Sequence, residues 1–272
     1  MVRHKVLLPA TFYFWYLFDA VMNMITIFNA FFLLKLNRVT DRQSPLAVLY
    51  QLPGVASASN LLSYHMAYIQ WTSIGLITVL RYCFINRNIQ ISQSTANKAL
   101  WILLICAVPF FDTHRLFSHN IEFVYDPEQD NFQLPDSMPL KESFMYLLPF
   151  MFITSAITAV LVFLIYDRVM KLLKKHQPSQ HLRKRLEMAM HHYLLFTAAI
   201  QMSATVLTGL RIYTHNRALS VVLIRILPYV SDGLSMVQPA LLIYTLLRTL
   251  RRRVNYPDSS ALKLQQQLGR NV

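Results

Sequence analysis

The side chains able to do chemistry in this sequence are polar or charged groups set inside long apolar runs. Asp19 lies within Phe12–Ala30 and Asp232 within Val221–Leu247. An ionisable group in such a run is costly and points to function by default. Asn23 and Thr26 follow Asp19 at i+4 and i+7, so the three share one helix face turned into a bundle. That face can glue helices together or serve a ligand, an ion or an activation step. Asp19 and Asp232 have similar depths, and two buried carboxylates cannot both stay charged without a cation or a shared proton. The expectation is a mid-membrane polar cluster of Asp19, Asn23, Asp232, Ser235 and Gln238. Pro239 removes a backbone donor and frees the carbonyl near Ser235, which makes it a hinge. Arg225, two turns before Asp232, can pair with it or snorkel to the surface.

Two further groups follow the same logic. His65, Tyr68 and Thr72 fall on one face of a helix and Gln70 with Ser73 on another; such groups can line a small-molecule pocket or bond to neighbouring helices. Arg81 and Tyr82 close an apolar run of about twenty residues. They read either as an interfacial anchor or as part of a switch.

Enzyme chemistry finds no support. The glycine-rich phosphate loops, GxSxG, HExxH and CxxC are all absent. His114 and His119 sit among acids and His191-His192 open an apolar run, in neither case with metal-ligand spacing. No catalytic residue, metal or cofactor is assigned. The two cysteines, Cys83 and Cys106, lie in or beside apolar runs and do not form a disulfide framework.

The elements that must carry these residues are membrane helices. The chain is 54% hydrophobic and 14% charged, where a soluble domain carries about 25% charged residues. Its pI of 9.9 comes from basic residues at the ends of apolar runs, which suits a lipid bilayer and not a nucleic acid. Spanning needs roughly 20 apolar residues. Six spans are expected, at about 6–36, 57–85, 92–113, 143–173, 188–212 and 220–247, inside a bundle over 1–250 with a basic cytoplasmic tail over 251–272. The first apolar stretch outruns a signal-peptide core and holds Asp19 and Asn23, so it reads as a retained helix. Arg168, Lys171, Lys174, Lys175 and Arg183–Arg185 lie between the fourth and fifth spans, and Arg248 and Arg251–Arg253 follow the sixth. Both segments are expected in the cytoplasm. The segment between the third and fourth spans is acidic, with Glu122, Asp126, Glu128, Asp130 and Asp136, and is expected outside. Lys35, Arg38 and Arg42 run against this scheme, since it puts them outside too. No N-x-[ST] sequon occurs to check it.

Three stretches carry a resemblance. Phe12-Tyr13-Phe14-Trp15-Tyr16-Leu17-Phe18-Asp19-Ala20-Val21-Met22-Asn23 is similar to the aromatic, Asp/Asn-bearing second helix of nematode serpentine chemoreceptors of the Srg superfamily. His65-Met66-Ala67-Tyr68-Ile69-Gln70-Trp71, running on to Leu80-Arg81-Tyr82, resembles the third helix. Leu227-Pro228-Tyr229 through Gln238-Pro239 resembles the last. Class V (Srv) is the nearest class and class gamma (Srg) the next. The resemblance implies an all-α polytopic helix bundle, six spans of a seven-helix fold like that of G-protein-coupled receptors, with the family's first helix absent. It implies a plasma-membrane receptor of sensory neurons that binds a small extracellular ligand and shifts its packing to engage a heterotrimeric G protein. Arg81, Tyr82, Lys171, Lys174 and Lys175 then lie on the G-protein side. In rhodopsin-like receptors an acid usually precedes this arginine and restrains it; here Leu80 precedes Arg81, so by that likeness restraint falls to Asp167 or Glu187. Beside the same receptors, Tyr244 stands five residues beyond Pro239 instead of three, and the outer-loop cysteine that pairs with the third helix is missing. The alternatives are a transporter or channel, which predicts inverted repeats or a pore-lining charge ring, and a truncated, non-signalling receptor copy.

Overall fold

A computed structural model describes residues 10–87, 94–118, 121–134, 144–175 and 181–214, with isolated positions between 219 and 244. Helix α1 covers Ala10–Leu34 and is followed by a 3-10 turn at Leu36–Arg38 and the short α2, Ala47–Gln51. Helix α3 runs Val55–Arg87, α4 Thr95–Ala107 and α5 Phe110–Thr113. A hairpin follows, β1 Val124–Asp126 and β2 Asn131–Gln133, then α6 Leu147–Lys175 and α7 His181–Tyr213.

Local chemistry sets the helix ends. Ser94 caps α4, its hydroxyl accepting from the Asn97 amide at 3.3 Å. Pro109 divides the third expected span into α4 and α5, because it cannot supply an amide proton to a continuing helix. Pro149 sits in the first turn of α6, where no donor is needed. Gly54 enters α3 with φ of 80°, a conformation that a side chain would strain.

Four stretches among the described residues are long and apolar enough to cross a membrane: Phe14–Arg38, Thr95–Leu116, Leu147–Lys171 and His192–Tyr213. Helix α3 is not one of them, and its position explains why. It packs against α1 and α6, and α6 packs against α7, so the polar side chains of α3 meet protein. Gln70, Ser73, Thr78 and Arg81 are all buried. Lipid-exposed hydroxyls would have no water to satisfy them. Here they fold back on their own helix: Thr72 donates to the Tyr68 carbonyl, Ser73 to Ile69 and Thr78 to Ile74, each at 2.8 Å. The outward faces are apolar instead. Leu17, Met24 and Phe28 on α1 and Phe152, Val160 and Phe163 on α6 are exposed, far more than a water-soluble surface carries.

One end of the bundle carries a cap that sequence patterning had not revealed. Tyr50 of α2 is buried between Phe32, stacked at 4.9 Å, Phe132 at 5.5 Å and Phe123, edge-on at 4.8 Å. The hairpin pairs antiparallel, Tyr125 opposite Phe132, around a turn in which Asp130 takes a φ of 47°. Asn37 donates to the Phe132 carbonyl at 3.1 Å, and the Ser57 hydroxyl bonds both the amide and the carbonyl of Ile121. The basic 35–54 connection and the acidic hairpin are thus one unit on one face. Arg42 lies 5.6 Å from the Tyr125 ring centroid. The segment that carries Lys35, Arg38 and Arg42 is therefore joined to the acidic hairpin, through Asn37 with Phe132 and Arg42 with Tyr125.

Candidate functional site

Three polar groups gather around α3. The first is the α1–α3 seam. Asp19 and Asn23 are 2% and 0% exposed and turn away from lipid. Asn23 Nδ2 donates to Asp19 Oδ2 at 3.1 Å, and Gln70 Nε2 donates to Asn23 Oδ1 at 2.6 Å. One turn before Asp19, Tyr16 is buried in the neighbourhood of both Asp19 and Arg81, its hydroxyl making no hydrogen bond. Arg81 is only 4% exposed. Its side chain lies within the bundle, not on an exposed face. Asp167 does not restrain it, for Asp167 pairs with Lys171 at 2.6 Å on an exposed face. Gln70 was expected on a polar face, but its bond to Asn23 was not, and Tyr16 was not singled out from sequence. The signal lay in spacing: Tyr16, Asp19 and Asn23 are i, i+3 and i+7 on one face.

The second group lies where α3 meets α4 and α5. His65 Nε2 is 2.9 Å from the Cys106 carbonyl and Nδ1 is 3.2 Å from the Thr113 hydroxyl. A carbonyl only accepts, so Nε2 holds the proton. The Phe110 ring covers the imidazole at 4.3 Å. Tyr68 donates to the Asp112 carboxylate, which also holds Arg115. Arg115 in turn stands 4.4 Å from the Tyr146 ring centroid, ahead of α6. Thr72 bonds back to Tyr68. The three expected ligand-binding residues thus share one face, and each makes a hydrogen bond inside the protein. They tie α3 to the broken helix at Pro109. Asp112, Arg115 and Tyr146 join them.

The third group lies between α3, α6 and α7. Trp71 Nε1 donates to Ser155 Oγ at 3.0 Å, and Ser155 Oγ is 3.1 Å from Thr205 Oγ1. Thr158, Thr197 and Gln201 are also fully buried. The Thr158 and Thr197 hydroxyls and both amide atoms of Gln201 have no hydrogen-bond partner in the protein. An unsatisfied buried polar group costs about 1–3 kcal/mol. None of these residues was selected from sequence, although Thr197, Gln201, Thr205 and Thr208 repeat along one helix face.

The remaining expected residues divide. Tyr82 is half-buried against the core and Lys171 is exposed. Lys174 and Lys175 lie on α6, but their side chains, and that of Glu187, are outside the described residues. So are Asp232, Ser235, Gln238 and Pro239, which leaves the expected cluster with its α1 half only. Among the described residues no three His, Cys, Asp or Glu side chains gather as for a metal ion, and Cys83 and Cys106 are free thiols.

Apolar helices with lipid-compatible faces, a polar α3 at their centre and polar clusters turned inward define a polytopic membrane receptor fold. The family model described as Srg family chemoreceptor matches residues 1–254, and the chain belongs to that family of seven-helix, G-protein-coupled-receptor-like membrane proteins. No curated protein matches it significantly.

Proposed function

We propose that this chemoreceptor binds a small extracellular molecule and answers by exposing its basic end to a heterotrimeric G protein. The observation that carries this is Arg81. A guanidinium that is 4% exposed, next to the end of α3 and against Tyr16, has two favourable places: inside, near Tyr16 and Asp19, or out among phosphates and acidic side chains at the surface. Burying an arginine in a span costs about 2.5–3.5 kcal/mol on insertion scales, so the inward position depends on its partners. Tyr16 takes the restraining role that an acid at position 80 would have taken. A ligand shifts such an equilibrium only through different affinity for the two packings. Moving it from about 1% to about 99% outward needs roughly a 10⁴-fold preference.

In this reading the aromatic cap faces outside and the Lys171–Arg185 end faces the cytoplasm of a sensory neuron, with Lys171, Lys174 and Lys175 flanking the G-protein surface and the 251–272 tail behind them. The cap fits that orientation by joining the segment of Lys35, Arg38 and Arg42 to the acidic hairpin. The hinge at Pro239 and the contribution of Asp232, Ser235 and Gln238 belong to the same proposal. The description of the matched family supports class gamma over class V. The test is G-protein activation at matched surface expression. Tyr16→Phe should raise ligand-independent signalling, and Arg81→Ala should abolish signalling. Ion flux through the purified protein in liposomes, with signalling untouched by Arg81→Ala, would favour a channel.

A further inference from the structure

We propose that Gln201, Thr158 and Thr197 form a binding site for a small uncharged molecule whose head both donates and accepts hydrogen bonds and whose remainder is apolar. Gln201 is 0% exposed and lies near the middle of the His192–Tyr213 stretch of α7. Its amide nitrogen and carbonyl oxygen have no protein partner, nor do the Thr158 and Thr197 hydroxyls. The hydroxyls beside them differ. Ser155 bonds Trp71 and Thr205, Thr205 donates to the Gln201 carbonyl of the backbone at 2.9 Å, and Thr208 donates to the Ala204 carbonyl at 2.8 Å. Single buried atoms without a hydrogen bond also occur elsewhere, at the Tyr16 hydroxyl and Asn37 Oδ1, but Gln201, Thr158 and Thr197 together leave four such atoms on α6 and α7.

Register brings them together. The Ser155–Thr205 contact fixes the antiparallel pair α6 and α7. Thr158 is three residues beyond Ser155 and Gln201 four before Thr205, so both enter the next layer, and Thr197 follows one turn later on the Gln201 face. On the α3 side stands Gly75; even an added Cβ there would reach only 4.0 Å from the Thr158 hydroxyl. Hydrocarbon supplies no water for these groups. A threonine hydroxyl can turn back to its own helix, but a primary amide needs a partner with donor and acceptor side by side. A carboxamide or alcohol head meets that need. Val162, Leu194 and Ala198, all buried in the neighbouring core, suit an apolar remainder. The three residues are uncharged, so neither a carboxylate nor an ammonium head finds a counter-charge there.

This deepens the receptor proposal by giving its ligand a chemical class, and it rests on that proposal for the ligand's purpose alone. Binding is therefore read without a G protein. The full chain in nanodiscs is melted with hexanamide, hexanoate or hexylammonium. Hexanamide should raise the melting midpoint by about 2–4 °C, the charged probes should not, and Gln201→Met should raise the probe-free midpoint while losing the hexanamide shift. If Gln201→Met does not fold, Thr197→Val should weaken the shift. A lowered probe-free midpoint for Gln201→Met overturns the proposal, because Gln201 is then structural. So does a hexanamide shift that survives both substitutions, or charged probes that act equally. A wild type unmoved by hexanamide, with a raised Gln201→Met midpoint, means that water alone satisfies the site, and this also overturns it. A hexanamide shift in a protein that activates no G protein supports the site while removing the coupling.

Discussion

The aromatic cap and the helix bundle solve opposite problems. In the cap, Tyr50, Phe32, Phe123 and Phe132 leave water by covering one another, and loss of apolar area from water drives them together. In the bundle, lipid is as apolar as leucine, so that drive is missing and association rests on packing and interhelical hydrogen bonds. There rings also meet between helices, Phe12 with Phe84, Tyr16 with Tyr193 and Tyr68 with Phe150, and hydrogen bonds between side chains join them: Asn23 with Gln70, Trp71 with Ser155, Ser155 with Thr205. The centre of the cap is thus built of rings alone, whereas the helices add amides and hydroxyls turned inward, away from lipid. Truncating a ring should hurt the cap far more than losing a hydrogen bond hurts the bundle.

The largest effect should come from Tyr50→Ala. Removing a fully buried aromatic costs about 3–5 kcal/mol, and this one also donates to the Phe32 carbonyl at 3.2 Å. Hydrogen exchange should speed up across 121–134 and leave α6 and α7 unchanged; uniform acceleration would mean that the cap and bundle unfold as one. Tyr50 adds a pH signature. Burial pushes its phenol above the ordinary 10.0, so its neutral form is favoured in the folded cap. That contribution is intact below pH 10 and is lost as pH rises through the folded value. Tyr50→Phe should remove this alkaline step from the cap's exchange profile.

Second in size is Asn23→Ala. It takes a donor from Asp19 and an acceptor from Gln70, and leaving buried polar groups short of a partner costs about 1–3 kcal/mol. Replacing Asp19, Asn23 and Gln70 together by leucine, in a Tyr16→Phe, Arg81→Met background that no longer calls on Asp19, should cost much less, because no polar group of the seam is then stranded. Melting midpoints in nanodiscs separate the two cases. A triple variant weaker than Asn23→Ala in the same background would show that the seam itself holds α1 to α3.

The contrast also explains what could be read in advance. Apolar runs with basic ends required helices in a membrane, and the Asp19–Asn23 spacing marked an inward face, because both follow from one helix and its solvent. The cap did not follow from either. It is made by residues far apart in sequence, Tyr50 against Phe123 and Phe132, with a hairpin only three residues long on each side. Arg81 was legible as a charge out of place, yet its burial beside Tyr16 depended on how α1 leans on α3. The Thr158–Gln201 layer was missed for another reason: uncharged side chains in an apolar run look unremarkable until the structure leaves them without partners.

The smallest effect is the one that best measures the bundle's side of the comparison. Trp71 and Ser155 join α3 to α6 by a 3.0 Å bond, both buried. Ser155→Ala alone strands the indole N–H, and Trp71→Phe alone leaves Ser155 with Thr205. Neither single loss equals the value of the bond. The double-mutant coupling does, and interhelical hydrogen bonds in membranes average about 0.6 kcal/mol by that measure. A coupling near this value would place many weak polar ties, not one strong lock, at the centre of the bundle. Such ties can be exchanged one for another at little cost, which is the property a helix packing needs if a bound molecule is to shift it. A coupling of about 3 kcal/mol or more would instead make α3 and α6 one rigid unit, and any movement that releases Arg81 would have to occur between α1 and α3.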